Sequence, residues 1–119
     1  MNPSTMRTHK DLLAWRRARE VVLSVQRHAD RRWSPGRAAL LEQLRRSSLS
    51  VMLNLAEGYA HGPGKRCRAH LKIAYGSAVE STDVLELLVE LGDDSLAKVS
   101  AMSREVQAMT LKLWQRSVG

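Results

Sequence analysis

Apolar residues recur at steps of three and four along most of the chain, and this spacing constrains the fold more than any other feature of the sequence. It places apolar side chains on one face of an α-helix, whereas a half-buried β-strand needs apolar and polar residues to alternate. Glycine, in two cases together with proline, interrupts the pattern at residues 33–36, 61–64 and 92–95. The sequence therefore predicts four helices, over about residues 9–32, 35–60, 65–91 and 95–116.

Each predicted helix carries an apolar stripe, and packing these stripes together gives one hydrophobic core. The connections are short, so neighbouring helices are expected to run antiparallel. The expected fold is all-α, an up-down-up-down four-helix bundle forming one domain over residues 1–119. The stripes comprise Leu12, Trp15, Ala18, Val22, Val25 and Ala29, then Leu41, Leu44, Ser48, Val51, Met52, Leu55 and Tyr59, then Leu71, Ala74, Ala78, Leu85 and Leu88, and finally Val99, Met102, Val106, Met109 and Leu113.

Several helix ends carry residues that satisfy unpaired backbone groups. Oxygen-bearing side chains before a helix accept hydrogen bonds from its first N–H groups, and glycine adopts the left-handed conformation just beyond a C-terminus. The predicted caps are Thr8 with Asp11 and Ser34 with Pro35 before the first two helices, Gly92 after the third, and Asp94 or Ser95 before the fourth.

Two helices carry apolar residues outside these stripes. The second helix has a further stripe about 100° from its first, and the fourth helix has a weaker one. A wide core face and a contact between subunits both account for such a stripe, and the contact predicts a homo-oligomer. The residues concerned are Leu49, Leu53, Ala56 and Ala60 on the second helix and Leu111 and Trp114 on the fourth.

Positive charge is concentrated in the first half of the chain. The formal net charge is +7, of which residues 1–60 contribute +6, from eleven lysines and arginines against five acids. A solvated polar face explains any single basic residue, whereas the whole set favours binding to nucleic-acid phosphates. The candidate residues are Arg16, Arg17, Arg27, Arg31, Arg45, Arg46, Lys65, Arg66, Arg68 and Lys72.

The third helix has its charges in the order that a helix dipole disfavours. Its basic residues stand in the first turns, and residues 76–94 hold six acids without a lysine or arginine. Basic groups at a helix N-terminus are unfavourable, so this order suggests a role towards another subunit or a nucleic acid.

Residue patterns of known catalytic and metal sites are missing from the sequence. It has no nucleophile elbow, no phosphate-binding glycine loop and no His-Glu-x-x-His motif. Cys67 and His70 share a helix face without a second ligand pair, and Glu57 and His61 are expected to form a cap or a surface pair. We therefore expect no catalytic residues, no metal and no cofactor. A single cysteine, no membrane span and no signal peptide suggest a cytoplasmic protein.

Three segments together resemble one protein family. They are Gln43-Leu44-Arg45-Arg46-Ser47-Ser48-Leu49-Ser50-Val51-Met52-Leu53-Asn54-Leu55-Ala56-Glu57-Gly58, Leu12-Leu13-Ala14-Trp15-Arg16-Arg17-Ala18 and Ile73-Ala74-Tyr75-Gly76-Ser77-Ala78-Val79-Glu80. These segments, and their order along the chain, are similar to those of the four-helix-bundle proteins encoded by intervening sequences of bacterial large-subunit ribosomal RNA genes.

This resemblance implies a protomer that assembles into a homopentameric ring. It also implies kinship with the accessory variability determinant of diversity-generating retroelements, a basic pentamer that binds nucleic acid and a reverse transcriptase. The shared motif residues have structural interpretations. Small residues allow close helix approach, and polar ones fix contacts. The small residues are Ala56, Gly58, Ala74 and Gly76, and the polar ones are Asn54 and Glu57.

The leading hypothesis is a non-enzymatic, oligomeric RNA- or DNA-binding accessory protein, with a reverse transcriptase as a further candidate partner. The second is a protein-interaction scaffold whose charges serve contacts with subunits or a partner. A third, an enzyme at Cys67, requires that Cys67→Ser abolish an activity. No membrane partner is expected.

Overall fold

The computed structural model describes residues 8–118, and within them all regular structure is helical. The four α-helices are α1 (Leu13–Arg32), α2 (Ala38–Ala60), α3 (Lys65–Glu90) and α4 (Ala97–Val118). Short 3₁₀ turns at His9–Asp11 and Asp94–Leu96 precede α1 and α4. The prediction of an all-α chain with four helices is confirmed, while residues 1–7 and 119 of the predicted domain lie outside the described part.

Each helix packs on two neighbours, so the four surround one core. α1 contacts α2 and α4, and α3 contacts the same two helices. All the predicted stripe residues are buried or pack against the buried cluster, and the most deeply buried include Leu44, Leu55, Leu85 and Leu88. A period of three and four therefore identified the core correctly on every helix.

The core also contains a set of small hydroxyl residues, of which the stripes predicted one, Ser48. They can be buried because each hydroxyl has a hydrogen-bond partner, and this partner removes the free-energy cost of burying an unpaired polar group. Ser81 donates to Ser47 over 2.8 Å, and Thr82 lies 2.9 Å from Ser103. The buried members are Ser47, Ser48, Ser81, Thr82, Ser100, Ser103 and Thr110.

Polar pairs along the contact between α2 and α3 fix how these helices align. Ser47 pairs with Ser81, the hydroxyls of Ser50 and Ser77 lie 2.7 Å apart, and Asn54 Oδ1 lies 2.9 Å from His70 Nδ1. The partners therefore step backwards along α3 as the residues step forwards along α2.

The predicted cap formed by Thr8 and Asp11 is confirmed, although this capping box begins a 3₁₀ turn and not α1. Thr8 Oγ1 accepts from the Lys10 N–H, and Asp11 Oδ2 accepts from the Thr8 N–H. This box begins the 3₁₀ turn, after which Leu12 is extended and α1 starts at Leu13.

The predicted start of α2 at residue 35 is wrong by one turn. Ser34 stands in a turn, where its carbonyl accepts from the Arg37 N–H over 3.0 Å, and Arg37 takes the N-cap position of α2. The helix then begins at Ala38 without a side-chain cap.

The end of α3 follows the prediction, whereas the start of α4 does not. Gly92 has φ +105°, and the N–H groups of Gly92 and Asp93 bond to the carbonyls of Val89 and Leu88, as in a Schellman motif. Neither Asp94 nor Ser95 caps α4. The chain forms a 3₁₀ turn there, and the Ser95 hydroxyl is directed to a histidine of α1.

Two helical glycines differ in their surroundings. A Cβ on Gly58 would lie 3.3 Å from His70 Cβ and 3.4 Å from the Cys67 carbonyl oxygen, so the predicted close helix approach is confirmed there. It is wrong for Gly76, which is exposed and has nothing within 4 Å of a Cβ.

These surroundings predict opposite outcomes for two alanine variants. Gly76→Ala should raise the free energy of unfolding by about 0.5–1 kcal/mol, because alanine loses less backbone entropy in a helix. Gly58→Ala gains the same propensity but presses on α3, so we expect no increase. Urea denaturation of the two variants measures the difference, and equal stabilisation by both would contradict the close contact at Gly58.

Candidate nucleic-acid interface

The ten candidate basic residues lie in two groups at opposite ends of a molecule about 45 Å long. At one end, here called the cavity end, Thr8, Gly64 and Arg116 line a common cavity. At the other, the acidic end, Arg37 Nε pairs with Asp93 Oδ2 over 3.0 Å. Arg16, Arg17, Lys65, Arg66, Arg68 and Lys72 belong to the cavity end, and Arg27, Arg31, Arg45 and Arg46 to the acidic end.

The cavity end has its densest cluster of cations on the first turns of α3, here called the α3 basic cluster. Lys65, Arg66 and Lys72 are exposed, and Arg68 is half-buried. None of the four forms an ion pair with any of residues 8–118. The first turn has no acid and no side-chain cap. These cations therefore face solvent with their charge uncompensated by a local partner.

The two arginines of α1 at this end have local partners. Arg16 Nε donates to the Lys10 carbonyl over 2.8 Å, and its Nη2 pairs with Asp11 Oδ1 over 3.8 Å. Arg17 Nη1 pairs with Glu20 Oε2 over 3.2 Å. Exposed ion pairs of this kind contribute about 0–1 kcal/mol, so an approaching phosphate can displace them.

At the acidic end, the basic residues are mixed with carboxylates. Arg45 Nε donates to Gln26 Oε1 and its Nη2 pairs with Asp30 Oδ1, which ties α2 to α1. Arg27, Arg31 and Arg46 are exposed without an ion pair in the described part of the chain. The acids of α3 and of the following loop reduce the positive field here, so the predicted set does not form one continuous basic surface.

The second apolar stripe divides between surface and interior. Leu49 and Leu53 are 39% and 46% exposed, and Ala60 is exposed as well. Ala56 and Leu111 are half-buried. Trp114 stacks on Tyr75 with ring centroids 5.9 Å apart, so the wide-core interpretation fits this part of α4.

An exposed apolar row on α3 escaped the sequence analysis. Ile73, Leu87 and Leu91 are 50%, 43% and 48% exposed, and steps of fourteen and four place them on one helix face. Leu49 and Leu53 each stand next to a residue of α2 that bonds to α3, and the partners on α3 are Ser77 and His70. Ile73 lies between these two partners in sequence. We call Leu49, Leu53 and Ile73 the apolar patch. Apolar residues fourteen and four apart on α3 and at its C-cap are the signal that would have found this row.

The polar motif residues join α2 to α3, as the resemblance implied. His70 Nδ1 lies 2.9 Å from Asn54 Oδ1 and 3.4 Å from Glu57 Oε2. Both partners are acceptors, so Nδ1 carries the proton. The side chain of Glu57 pairs with His70, so the predicted surface pair with His61 is wrong. The predicted cap is confirmed, because His61 caps α2 and its backbone N–H donates to the Glu57 carbonyl over 3.2 Å. The His61 ring stacks on that of His70 at 5.3 Å.

Cys67 is buried beside this cluster, and burial raises the pKa of its thiol. A raised pKa keeps the thiol protonated and poorly nucleophilic. Within residues 8–118, no group of three or more histidine, cysteine, aspartate or glutamate side chains is placed to hold a metal ion.

His28 is the buried titratable group at the acidic end. Its Nδ1 lies 3.4 Å from the Ser95 hydroxyl, and its Nε2 is buried without a partner among the described residues. Burial lowers its pKa, Asp93 acts in the opposite direction, and Arg31 and Arg32 lower it further.

A lowered pKa in the folded state makes stability depend on pH. As pH falls below the unfolded value of about 6.5, the unfolded chain takes up a proton at His28 before the folded chain does, so the free energy of unfolding falls. We expect His28→Gln to lose less stability between neutral and mildly acidic pH than the unmodified protein does. Urea denaturation at several pH values measures this. The matched control is His9→Gln at a half-buried position, and an equal change in both variants would contradict the assignment to His28.

A comparison with protein families places the chain beside known proteins. The family model described as 23S rRNA-intervening sequence protein covers residues 10–116. No curated protein matches the chain. In the part of the chain that the structure describes, every helix is too short or too polar to cross a membrane.

Proposed function

We propose a function for a chain that belongs to the 23S rRNA-intervening sequence protein family: it is a non-enzymatic, oligomeric accessory protein that binds the phosphate backbone of RNA or DNA. The observation that carries the proposal is the α3 basic cluster. Its four cations are solvent-accessible, adjacent along one helix start and free of ion pairs with residues 8–118.

The position of the cluster supports a phosphate ligand. Cations at a helix N-terminus oppose the helix dipole, and each costs about 0.3–1 kcal/mol at low ionic strength. A phosphate there would compensate both the side-chain charges and the unpaired N–H groups of the first turn. Release of counterions from the nucleic acid adds affinity without reading a sequence.

The protomer we propose is an antiparallel up-down-up-down bundle, and its assembly is a homopentameric ring. The backward order of the α2 and α3 partners supports the first statement. The exposed apolar patch supports self-association, since large apolar residues exposed together on neighbouring helices are typical of contact surfaces. The number five comes from the resemblance to the family.

The proposed setting is the cytoplasm, with a reverse transcriptase as a candidate further partner. This rests on the implied kinship with the accessory determinant of diversity-generating retroelements. The alternative function, a protein-interaction scaffold, is favoured by the apolar row on α3, which extends beyond the apolar patch to Leu87 and Leu91. The two functions differ in whether nucleic acid binds to the unmodified protein.

Fluorescence anisotropy with a labelled RNA hairpin tests the proposal. If three phosphates are neutralised, the affinity should fall about 40-fold between 50 and 200 mM salt. A DNA duplex of the same length measures the preference between nucleic acids. Absence of binding at low salt, or an affinity unaffected by salt, would overturn backbone binding and favour the scaffold.

A further inference from the structure

The cavity at the cavity end has the size of a small-molecule site. Its volume is about 660 Å³, within the range of about 300–1,000 Å³ typical of ligand pockets. It lies between the start of the chain's helical part, the turn joining α2 to α3, and the last turn of α4. Gly62 and Gly64 line it with φ +71° and +142°, and neither glycine has any atom within 4 Å of a Cβ position.

The wall of the cavity is largely apolar. Leu71, from the core stripe of α3, and Leu113, from that of α4, line it together with Tyr59 and the Cys67 thiol. Tyr59 and Leu113 are half-buried rather than buried, so the cavity leaves apolar surface uncovered that the rest of the bundle encloses. An apolar group of a ligand would complete this packing.

Among the described residues that line the cavity, Arg116 is the only arginine or lysine, and none is an aspartate or glutamate. Arg116 is exposed and forms no ion pair with residues 8–118. Its charge reaches into the cavity. Burial raises the pKa of Tyr59, and Arg116 acts on the same hydroxyl in the opposite direction. A guanidinium beside an apolar wall suits a carboxylate or phosphate carried by an apolar body.

We propose that this cavity binds a small organic anion, whose apolar body packs on Tyr59, Leu71 and Leu113 and whose anionic group pairs with Arg116. Aliphatic and aromatic anions share this chemistry. The site does not depend on nucleic-acid binding, because Arg116 is outside the α3 basic cluster and the ligand occupies a cavity.

The chain provides a probe inside the site, because its single cysteine, Cys67, lines the cavity. A bound anion should slow modification of this thiol by iodoacetamide, followed by mass spectrometry at alkaline pH, where more thiolate is present. Octanoate and 2-naphthoate represent the aliphatic and aromatic sources, and 1-octanol is the neutral control. We expect one of the anions to protect Cys67 at a concentration about tenfold lower than octanol requires.

Two variants assign the effect to the cavity. Arg116→Gln should weaken protection by the anion about tenfold and leave protection by octanol unchanged. Lys98→Gln removes the same charge from an exposed position near the start of α4, and its protection should equal that of the unmodified protein. Absence of protection by both anions, equal protection by octanol, or an unchanged affinity of the anion for Arg116→Gln would overturn the proposal.

Discussion

Replacing Lys65, Arg66 and Arg68 with glutamine is expected to weaken binding to a structured RNA about 100-fold near physiological salt. Each charge-assisted contact to phosphate is worth at least about 1 kcal/mol, and about 1.4 kcal/mol corresponds to a tenfold change. The slope of log affinity against log salt should become shallower by about three, one for each lost phosphate contact. Anisotropy titrations at several salt concentrations measure both quantities.

A second triple variant separates local charge from total charge. Arg19, Arg32 and Lys98 are exposed and form no ion pair with residues 8–118, so their replacement with glutamine also lowers the net charge from +7 to +4. We expect this control to bind RNA within a few-fold of the unmodified protein. If both triple variants lose affinity equally, the α3 basic cluster has no special role.

Loss of folding would not explain the expected loss of binding. The α3 basic cluster stands at the positive end of the helix dipole, so neutralising it removes a repulsion of about 0.3–1 kcal/mol per charge at low salt. The triple variant should therefore unfold at an equal or higher urea concentration. A triple variant that unfolds at a lower urea concentration would contradict the unfavourable interaction of these charges with the helix dipole.

The fold could be predicted from the sequence wherever one physical signal acted alone. A period of three and four residues is set by helix geometry, so the stripes through Leu44 and Leu85 are sufficient to locate the core. Gly92 is similar, because a left-handed residue after a helix is tolerated best by glycine.

Predictions failed where a side chain is bonded to a residue distant in sequence. Ser95 appeared suited to capping α4, but its hydroxyl lies against His28 from α1. Ser81 and Ser103 were absent from the predicted stripes, although tertiary partners satisfy their hydroxyls inside the core. Local sequence has no information on such long-range partners.

The candidate site was predictable in composition but not in arrangement. Counting charges identified the ten basic residues, whereas only the packing of the helices separates them into two ends. The cavity is harder still to predict, since Tyr59, Leu71 and Leu113 belong to the predicted core stripes and Arg116 was not among the candidate basic residues. It depends on how four helix termini meet, which no spacing along the chain encodes.

Substituting glutamate for both Leu49 and Leu53 is expected to dissociate the proposed homo-oligomer into 13.4 kDa protomers. Burying the exposed two-fifths of each leucine at a contact contributes about 0.6–1.2 kcal/mol, and burying an unpaired carboxylate in its place costs several kcal/mol more. The dissociation constant of the contact should therefore rise more than about 1,000-fold. Light scattering at micromolar concentration measures the mass.

The protomer should tolerate this change, because both side chains are already about two-fifths exposed or more. Leu13→Glu is the matched control, since Leu13 is 54% exposed on α1 and outside the apolar patch. A mass that stays unchanged in the double variant, or a protomer mass for the unmodified protein, would contradict self-association through this surface.

The same double variant links assembly to nucleic-acid binding. It leaves Lys65, Arg66, Arg68 and Lys72 intact, so each protomer keeps its own phosphate contacts. Several basic clusters held in one assembly act at high effective concentration along a strand, which can raise avidity about 100-fold or more without new contacts. If the assembly is the binding unit, RNA affinity should fall steeply on dissociation. Affinity that is unchanged in the protomer would mean that one α3 basic cluster binds alone.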